Sequence, residues 1–367
     1  MSKTQGHRFV SLQPWTHLSV LLASLLALLG IATSGARTHR SFFPPASSCP
    51  KVLFLDGFSP SKSNNENEAK YWGETVGIDG LFLGGIMYTW EDGVGDDENG
   101  RAYQVVKTFQ QLFPKHGVTD NFLLVGLHYP HDWKTSAAQD HVVRDFHQGA
   151  HLARATGLKG LALDLEPYVN GFWDVDPTLP DKAERAYMLG KRVGYAIWSE
   201  YPEATVIILP EVMAIKCPPY PENDCEKFAT SGRFVEGLLQ ARFGMVLIAT
   251  ESTYDSSSPH AVAAHVWDAY RPVVVRNGID VNTIRVAPGL WPLGKSYTDK
   301  SARAPVARFT ERLRLTFQFA AQEGTRYVWI YGHGSAWEEN GPWGNSHVDP
   351  QFNQFLNVLH RAKQSCR

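Results

Sequence analysis

The sequence predicts one (β/α)8 barrel whose working face lies at the C-terminal ends of its strands. Three observations carry that prediction. Short apolar runs recur eight times along the chain, at a spacing of roughly 40 residues. Amphipathic helical patterns stand between them. A doubly wound open sheet is the alternative, but no G-x-G-x-x-G turn follows the first run.

The runs, in order, are VLFLDG (52–57), GLFLGGIMY (80–88), FLLVGLHY (122–129) and GLALDLEPY (160–168), then TVIILPE (205–211), GMVLIATE (244–251), TIRVAPG (283–289) and YVWIYG (327–332). Near-continuous apolarity suits strands buried on both faces, as in a parallel sheet. Helices are expected at 65–77, 101–116, 136–156, 180–200, 225–242, 258–277, 302–323 and 349–364. The seventh places Val306, Phe309, Leu313, Phe317 and Ala320 on one stripe, with charged residues between. Asp181 stands where an N-cap belongs, ahead of Met188, Val193 and Ile197 near one face. Gly117, Gly157, Gly244, Gly278 and Gly324 mark the expected helix ends.

Residues 1–36 read as a signal peptide: Lys3 and Arg8 precede the uncharged run LSVLLASLLALLGIA at 18–32, and Ser34-Gly35-Ala36 supplies the small residues of a cleavage site. The run is shorter than the ~20 residues of a spanning helix, so no stable membrane insertion is expected after cleavage. An uncleaved anchor is the alternative. A short extension at 37–50 then leads into the barrel at 51–367. Four cysteines suit an exported, oxidising location. Cys217 and Cys225 bracket a Pro-rich excursion that a disulfide would hold, and pairing Cys49 with Cys366 would tie the ends together. Their spacings match no zinc pattern.

The formal net charge of −2 leaves no basic field for nucleic acid. A barrel carries its chemistry at the strand ends. Those of the first three strands offer Asp56, then Tyr88 and Trp90, then His128, Tyr129 and His131. The fourth offers Asp164, Glu166 and Tyr168, the fifth Glu211, and the sixth Glu251 and Tyr254. Trp291 follows the seventh, and Tyr331, His333, Trp337 and Glu338 belong to the eighth. Carboxylates and aromatics dominate, whereas a phosphate site would want cations or a glycine nest. Sugar rings stack on Trp and Tyr, and carboxylates perform acetal chemistry, so the mouth reads as a carbohydrate cleft. The expected partner is a carbohydrate substrate, met by a monomer.

No cofactor or metal is expected. His128-x-x-His131-Asp132 lacks the H-E-x-x-H and H-x-H patterns, and rim histidines more often bind substrate or loops. The acidic run from Glu91 to Gly100 lacks the alternation of a calcium loop. His147 and His151 lie on an outer helix and read as surface residues. No G-x-S-x-G marks a serine esterase.

The sharpest motif is Asp164-Leu165-Glu166 at the end of the fourth run. Acids two apart on a strand share a face. Two buried like charges cannot both ionise cheaply, so one carboxyl is expected to keep its proton and serve as an acid. This ending resembles that of secreted barrel glycoside hydrolases, including the chitinase-like family, whose fourth strand ends D-x-x-D-x-D-x-E. The resemblance implies Glu166 as the acid and Asp164 as its neighbour. Ala162 and Lys159 replace the earlier acids, and Thr250-Glu251-Ser252-Thr253-Tyr254 replaces a Met-x-Tyr ending. Trp329 and Tyr331 are similar to the aromatic eighth strand of that family.

Two mechanisms of glycoside hydrolysis follow. In one, Glu166 is the general acid/base and Glu251 the nucleophile or base, with Glu211 as a spare. In the other, the substrate's own acetamido group attacks while Asp164 orients it. A sugar-binding barrel without turnover and a metal-dependent barrel phosphodiesterase remain alternatives.

Overall fold

Eight parallel strands close into a barrel in sequence order. They are β1 (Lys51–Leu55), β2 (Gly80–Tyr88), β3 (Phe122–Gly126), β4 (Gly160–Asp164), β5 (Thr205–Leu209), β6 (Met245–Thr250), β7 (Ile284–Leu290) and β8 (Tyr327–Tyr331). This computed structural model describes residues 49–55, 65–88, 94–127, 131–168, 171–217, 222–254, 256–292, 306–332 and 352–365. A helix follows each strand: α1 (Glu66–Lys70, continued by a π-helical turn to Val76), α2 (Arg101–Leu112), α3 (Ser136–Thr156), α4 (Lys182–Glu200), α5 (Glu222–Leu238), α6 (Pro259–Arg276), α7 (Val306–Glu323) and α8 (Phe352–Ser365). The first and last strands close the ring, Lys51 to Leu55 pairing in register with Tyr327 to Tyr331. The (β/α)8 class expected from the apolar runs is the class observed.

Two apolar clusters explain why the strands are apolar on both faces. Val52, Phe54, Leu161, Leu163, Val206, Ile208, Val328 and Ile330 point outward into the layer beneath the helices. Their neighbours Leu53, Ala162, Ile207, Leu247, Tyr327 and Trp329 point inward and fill the barrel. Ring contacts Phe82–Phe122, Phe82–Trp329 and Phe122–Tyr327 occupy the β8–β2–β3 side. Ala162, Ala249 and Ala287 supply the small residues that such large rings need. Each fully buried large side chain contributes about 1.5–3 kcal/mol, so a polar residue within either stripe would be costly.

Local details correct several expectations. Asp181 precedes α4, but its backbone is left-handed (φ 56°) and its side chain makes no capping bond; its carbonyl instead accepts from Arg185 N–H. Gly117, Gly157, Gly278 and Gly324 have the left-handed backbone expected at helix ends, whereas Gly244 does not. Gly244 is needed for close approach, since a Cβ there would stand 2.7 Å from the Glu203 carbonyl oxygen. β4 ends at Asp164, and the Leu165 N–H continues the ladder to Leu209 O at 2.6 Å.

Cys217 and Cys225 form a disulfide with Cα atoms 5.7 Å apart. The excursion they enclose is not wholly irregular, because α5 begins at Glu222 and contains Cys225. Cys49 is disulfide-bonded; Cys366, its expected partner, lies outside the described residues. So do the expected signal segment, Asp56, Trp90, His128, Tyr129, His333, Trp337 and Glu338. Among the described residues, no helix is long and apolar enough to cross a membrane.

Candidate active site

The inward stripe of each strand runs on past its last ladder bond into the mouth. By that parity Ala162 leads to Asp164 and Glu166, Leu209 to Glu211, Ala249 to Glu251, and Trp329 to Tyr331. The acids stand where the interior reaches the rim.

Asp164 is 8% exposed. One oxygen accepts from the Glu166 backbone N–H at 3.2 Å, and the other from the Tyr168 hydroxyl at 3.0 Å. Tyr168 N–H also bonds the Glu166 carbonyl, which folds the segment back upon itself. The Tyr168 hydroxyl therefore meets Asp164. Burial, then the charges of Asp164 and Glu166, push its ionisation far above the usual tyrosine range, so it stays a neutral phenol. From behind, Lys227 of α5 reaches the Tyr168 carbonyl at 3.5 Å while pairing with Asp174 at 2.7 Å.

Glu211 is 1% exposed, and its two oxygens accept the backbone N–H groups of Glu251 (2.8 Å) and Ser252 (2.9 Å). Its carboxylate thus holds the start of the loop after β6. Thr253 secures the far side of that loop: its hydroxyl meets the carbonyls of Thr250 and Gly289 and accepts from Gly289 N–H, all at 2.8 Å. Between these anchors the partly exposed Glu251 is presented at the mouth.

Tyr254, which closes the same turn, is 4% exposed. Its ring stacks on Tyr331 (6.1 Å, 13°) and meets Trp329 and Trp291 at 5.4 and 5.7 Å. Its hydroxyl has no hydrogen-bond partner among the described residues. Burial first, then Glu251, Tyr331, Glu211 and Glu166, raise its ionisation well above the ordinary tyrosine range. One neutral phenol thus lies within electrostatic reach of carboxylates from β4, β5 and β6. Trp291 and Tyr331, 5.3 Å apart and both partly exposed, form an aromatic wall beside it.

The fold therefore gathers Asp164, Glu166, Tyr168, Glu211, Glu251, Tyr254, Trp291 and Tyr331 at one end. Tyr88 ends β2 at the same face. His131 and Asp132 are engaged elsewhere: the imidazole stacks on Phe172 (4.8 Å, 18°), and the carboxylate accepts from Lys134 N–H and the Thr135 hydroxyl. Burial pushes His131 down to about 4. His147 and His151 both approach Glu200 on the outer helices, at 3.6 and 2.6 Å. Sequence reasoning missed Thr253 and Lys227, which carry no local pattern of their own.

No protein-family model matches the sequence, and no curated protein matches it. Among solved structures, the endo-β-1,4-mannanase from Thermotoga petrophila superposes with a TM-score of 0.50 at 12% identity, over 87% of this chain and 78% of that one. The D-allulose 3-epimerase from Methylomonas sp. gives 0.47 at 11% identity, covering 89% and 99% of the two chains. A GH18 chitinase from Pseudoalteromonas aurantia gives 0.42 at 11% identity, covering 85% and 99%. At such identities the likeness to the mannanase shows the barrel fold alone.

Proposed function

We propose that the protein is a sugar-processing barrel enzyme, and specifically a glycoside hydrolase acting on an oligo- or polysaccharide. The observation that carries this reading is the position of Glu166 and Glu251 just past the ends of β4 and β6, beside the Tyr254–Trp291–Tyr331 aromatic wall. Glu166 protonates the departing glycosidic oxygen. Glu251 acts across the cleft as nucleophile or as the base for water. Both Asp164 oxygens already receive donors from Tyr168 and Glu166, which supports the opposing carboxylate over an acetamido-assisted route. Trp291 and Tyr331 stack the sugar, and Tyr254 donates to a substrate oxygen. The Cys217–Cys225 bridge supports an exported location.

Glu166→Gln keeps size and removes the proton. It should reduce kcat at least ~10²-fold on unactivated glycosides, with smaller losses on substrates whose leaving groups are already acidic. Wild-type rates in that variant would refute the assignment. Glu251→Gln divides the mechanisms: near-complete loss supports the opposing carboxylate, and near-normal turnover supports substrate assistance. A wild-type chain that binds glycans but cleaves none of a broad glycoside panel would be a sugar-binding barrel instead.

A further inference from the structure

Lys227 of α5 is only 9% exposed, although lysine is seldom buried unless its charge is matched. Its ammonium pairs with Asp174 at 2.7 Å and reaches the Tyr168 carbonyl at 3.5 Å. Gly171 ties these two partners to each other. Its N–H donates to the second Asp174 oxygen at 2.7 Å and meets the Tyr168 carbonyl at 3.2 Å. Tyr168 in turn sets its N–H on the Glu166 carbonyl and its hydroxyl on Asp164, both at 3.0 Å. A continuous chain of hydrogen bonds therefore leads from α5 to the carboxylate that ends β4. We propose that Lys227 is a positioning residue for the candidate site: by gripping Tyr168 and Asp174 at once, its ammonium holds the Tyr168 hydroxyl against Asp164.

The neighbouring contacts divide the work. Trp173 is buried and meets Phe234 edge-on at 5.5 Å. Phe234 stands seven residues after Lys227, two turns along the same face of α5. This apolar contact seats the loop on the helix but is not directional, so it does not fix where Tyr168 points. The bonds made by the ammonium are directional and reach Tyr168 itself. Lys227 is in turn anchored: Cys225, two residues before it, is bridged to Cys217, and Glu226 pairs with Lys182 at the start of α4. Asp224, one turn earlier, adds a looser carboxylate at 4.0 Å. Without the ammonium, the one-third exposed Asp174 side chain can turn to water, and the grip on Tyr168 loosens while Trp173 keeps the loop in place. The inference rests on the reading of the β4 end as part of a hydrolase site, yet the grip itself is measurable without substrate.

The test compares the full chain with Lys227→Met, which keeps an unbranched side chain of similar length and removes the charge. Amide hydrogen exchange at Gly171 should accelerate in the variant. On a glycoside that the wild type cleaves, kcat should fall about tenfold while KM changes less than about twofold, because the acids lose alignment and the stacking wall does not. In a Tyr168→Phe background, Lys227→Met should cost no further kcat, since the hydroxyl through which it acts is gone. Unaltered exchange at Gly171, an unchanged kcat, or a loss of the same size in the Tyr168→Phe background overturns the proposal. Should Lys227→Met fail to fold, Asp174→Asn loosens the same grip from the exposed side and is read by the same kcat cycle. A wild type that cleaves no glycoside, beside faster exchange at Gly171 in Lys227→Met, would refute the hydrolase reading and leave the grip standing.

Discussion

The two ends of the barrel both bury carboxylates and treat them in opposite ways. At the N-terminal end, fully buried Asp120 precedes β3 and accepts from Lys51, the Tyr327 hydroxyl (2.7 Å), the Thr119 hydroxyl (2.7 Å) and Arg326 (3.2 Å). Burial opposes its charge, but the bonds from Lys51, Tyr327 and Thr119 outweigh that and hold its carboxyl below the usual range. At the C-terminal end, Asp164 and Glu211 accept from a phenol and from backbone amides. The lower site matches a charge with cations and fastens β1, β3 and β8 together. The upper one arranges carboxyls around neutral donors, the setting that the proposed acid chemistry would use. This is the division between stability and chemistry expected of a barrel.

The largest test of that division is Asp120→Ala. It leaves the Tyr327 hydroxyl and two cations without their common acceptor, and should cost about 3–5 kcal/mol of stability. Chemical denaturation would measure the loss, while kcat per folded molecule at the distant mouth should stay near normal. A large fall in kcat without loss of stability would erase the contrast between the ends.

A smaller effect should follow from Glu211→Gln. The amide nitrogen it introduces cannot accept, so one backbone N–H of Glu251 or Ser252 loses its partner, at a cost of about 1–3 kcal/mol. Hydrogen exchange at those two amides should accelerate, and kcat should fall about tenfold with little change in KM, because Glu251 is less firmly placed. Unchanged exchange with abolished turnover would make Glu211 a reacting group and not a support for its neighbour.

The same contrast separates what the sequence disclosed from what it hid. The strands were legible because both faces are buried, which leaves an unbroken apolar run such as Leu161–Leu163 or Val206–Leu209. The acids at the rim were legible from parity alone. Which of them would react was not, because the decisive partners of Glu211 are backbone N–H groups 40 and 41 residues away. Tyr168 read as a sugar-stacking ring until the turn at Glu166 folded its hydroxyl onto Asp164. Asp120 gave no signal, since a lone Asp in a loop says nothing about the Lys51 and Arg326 that meet it from β1 and the approach to β8.

The smallest effect concerns the loop side of the mouth, where an aromatic cluster takes in a largely buried histidine. His131 stacks on Phe172 and meets Trp133 edge-on at 5.2 Å, and Trp133 in turn donates to the Phe172 carbonyl at 2.9 Å. This cluster joins the loops after β3 and β4. Burial lowers the imidazole from its ordinary 6.5 to about 4, so the folded chain refuses a proton that the unfolded chain accepts. Its contribution is therefore complete above pH ~6.5 and is lost as the pH falls toward ~4, by at most a few kcal/mol and by less given the ring's partial exposure. His131→Phe preserves the stack and removes the titrating group. Thermal unfolding followed from pH 7 to 4 should show a shallower decline in the variant than in the wild type. Parallel declines would mean that the imidazole remains reachable by water and that the loops are joined by their rings alone.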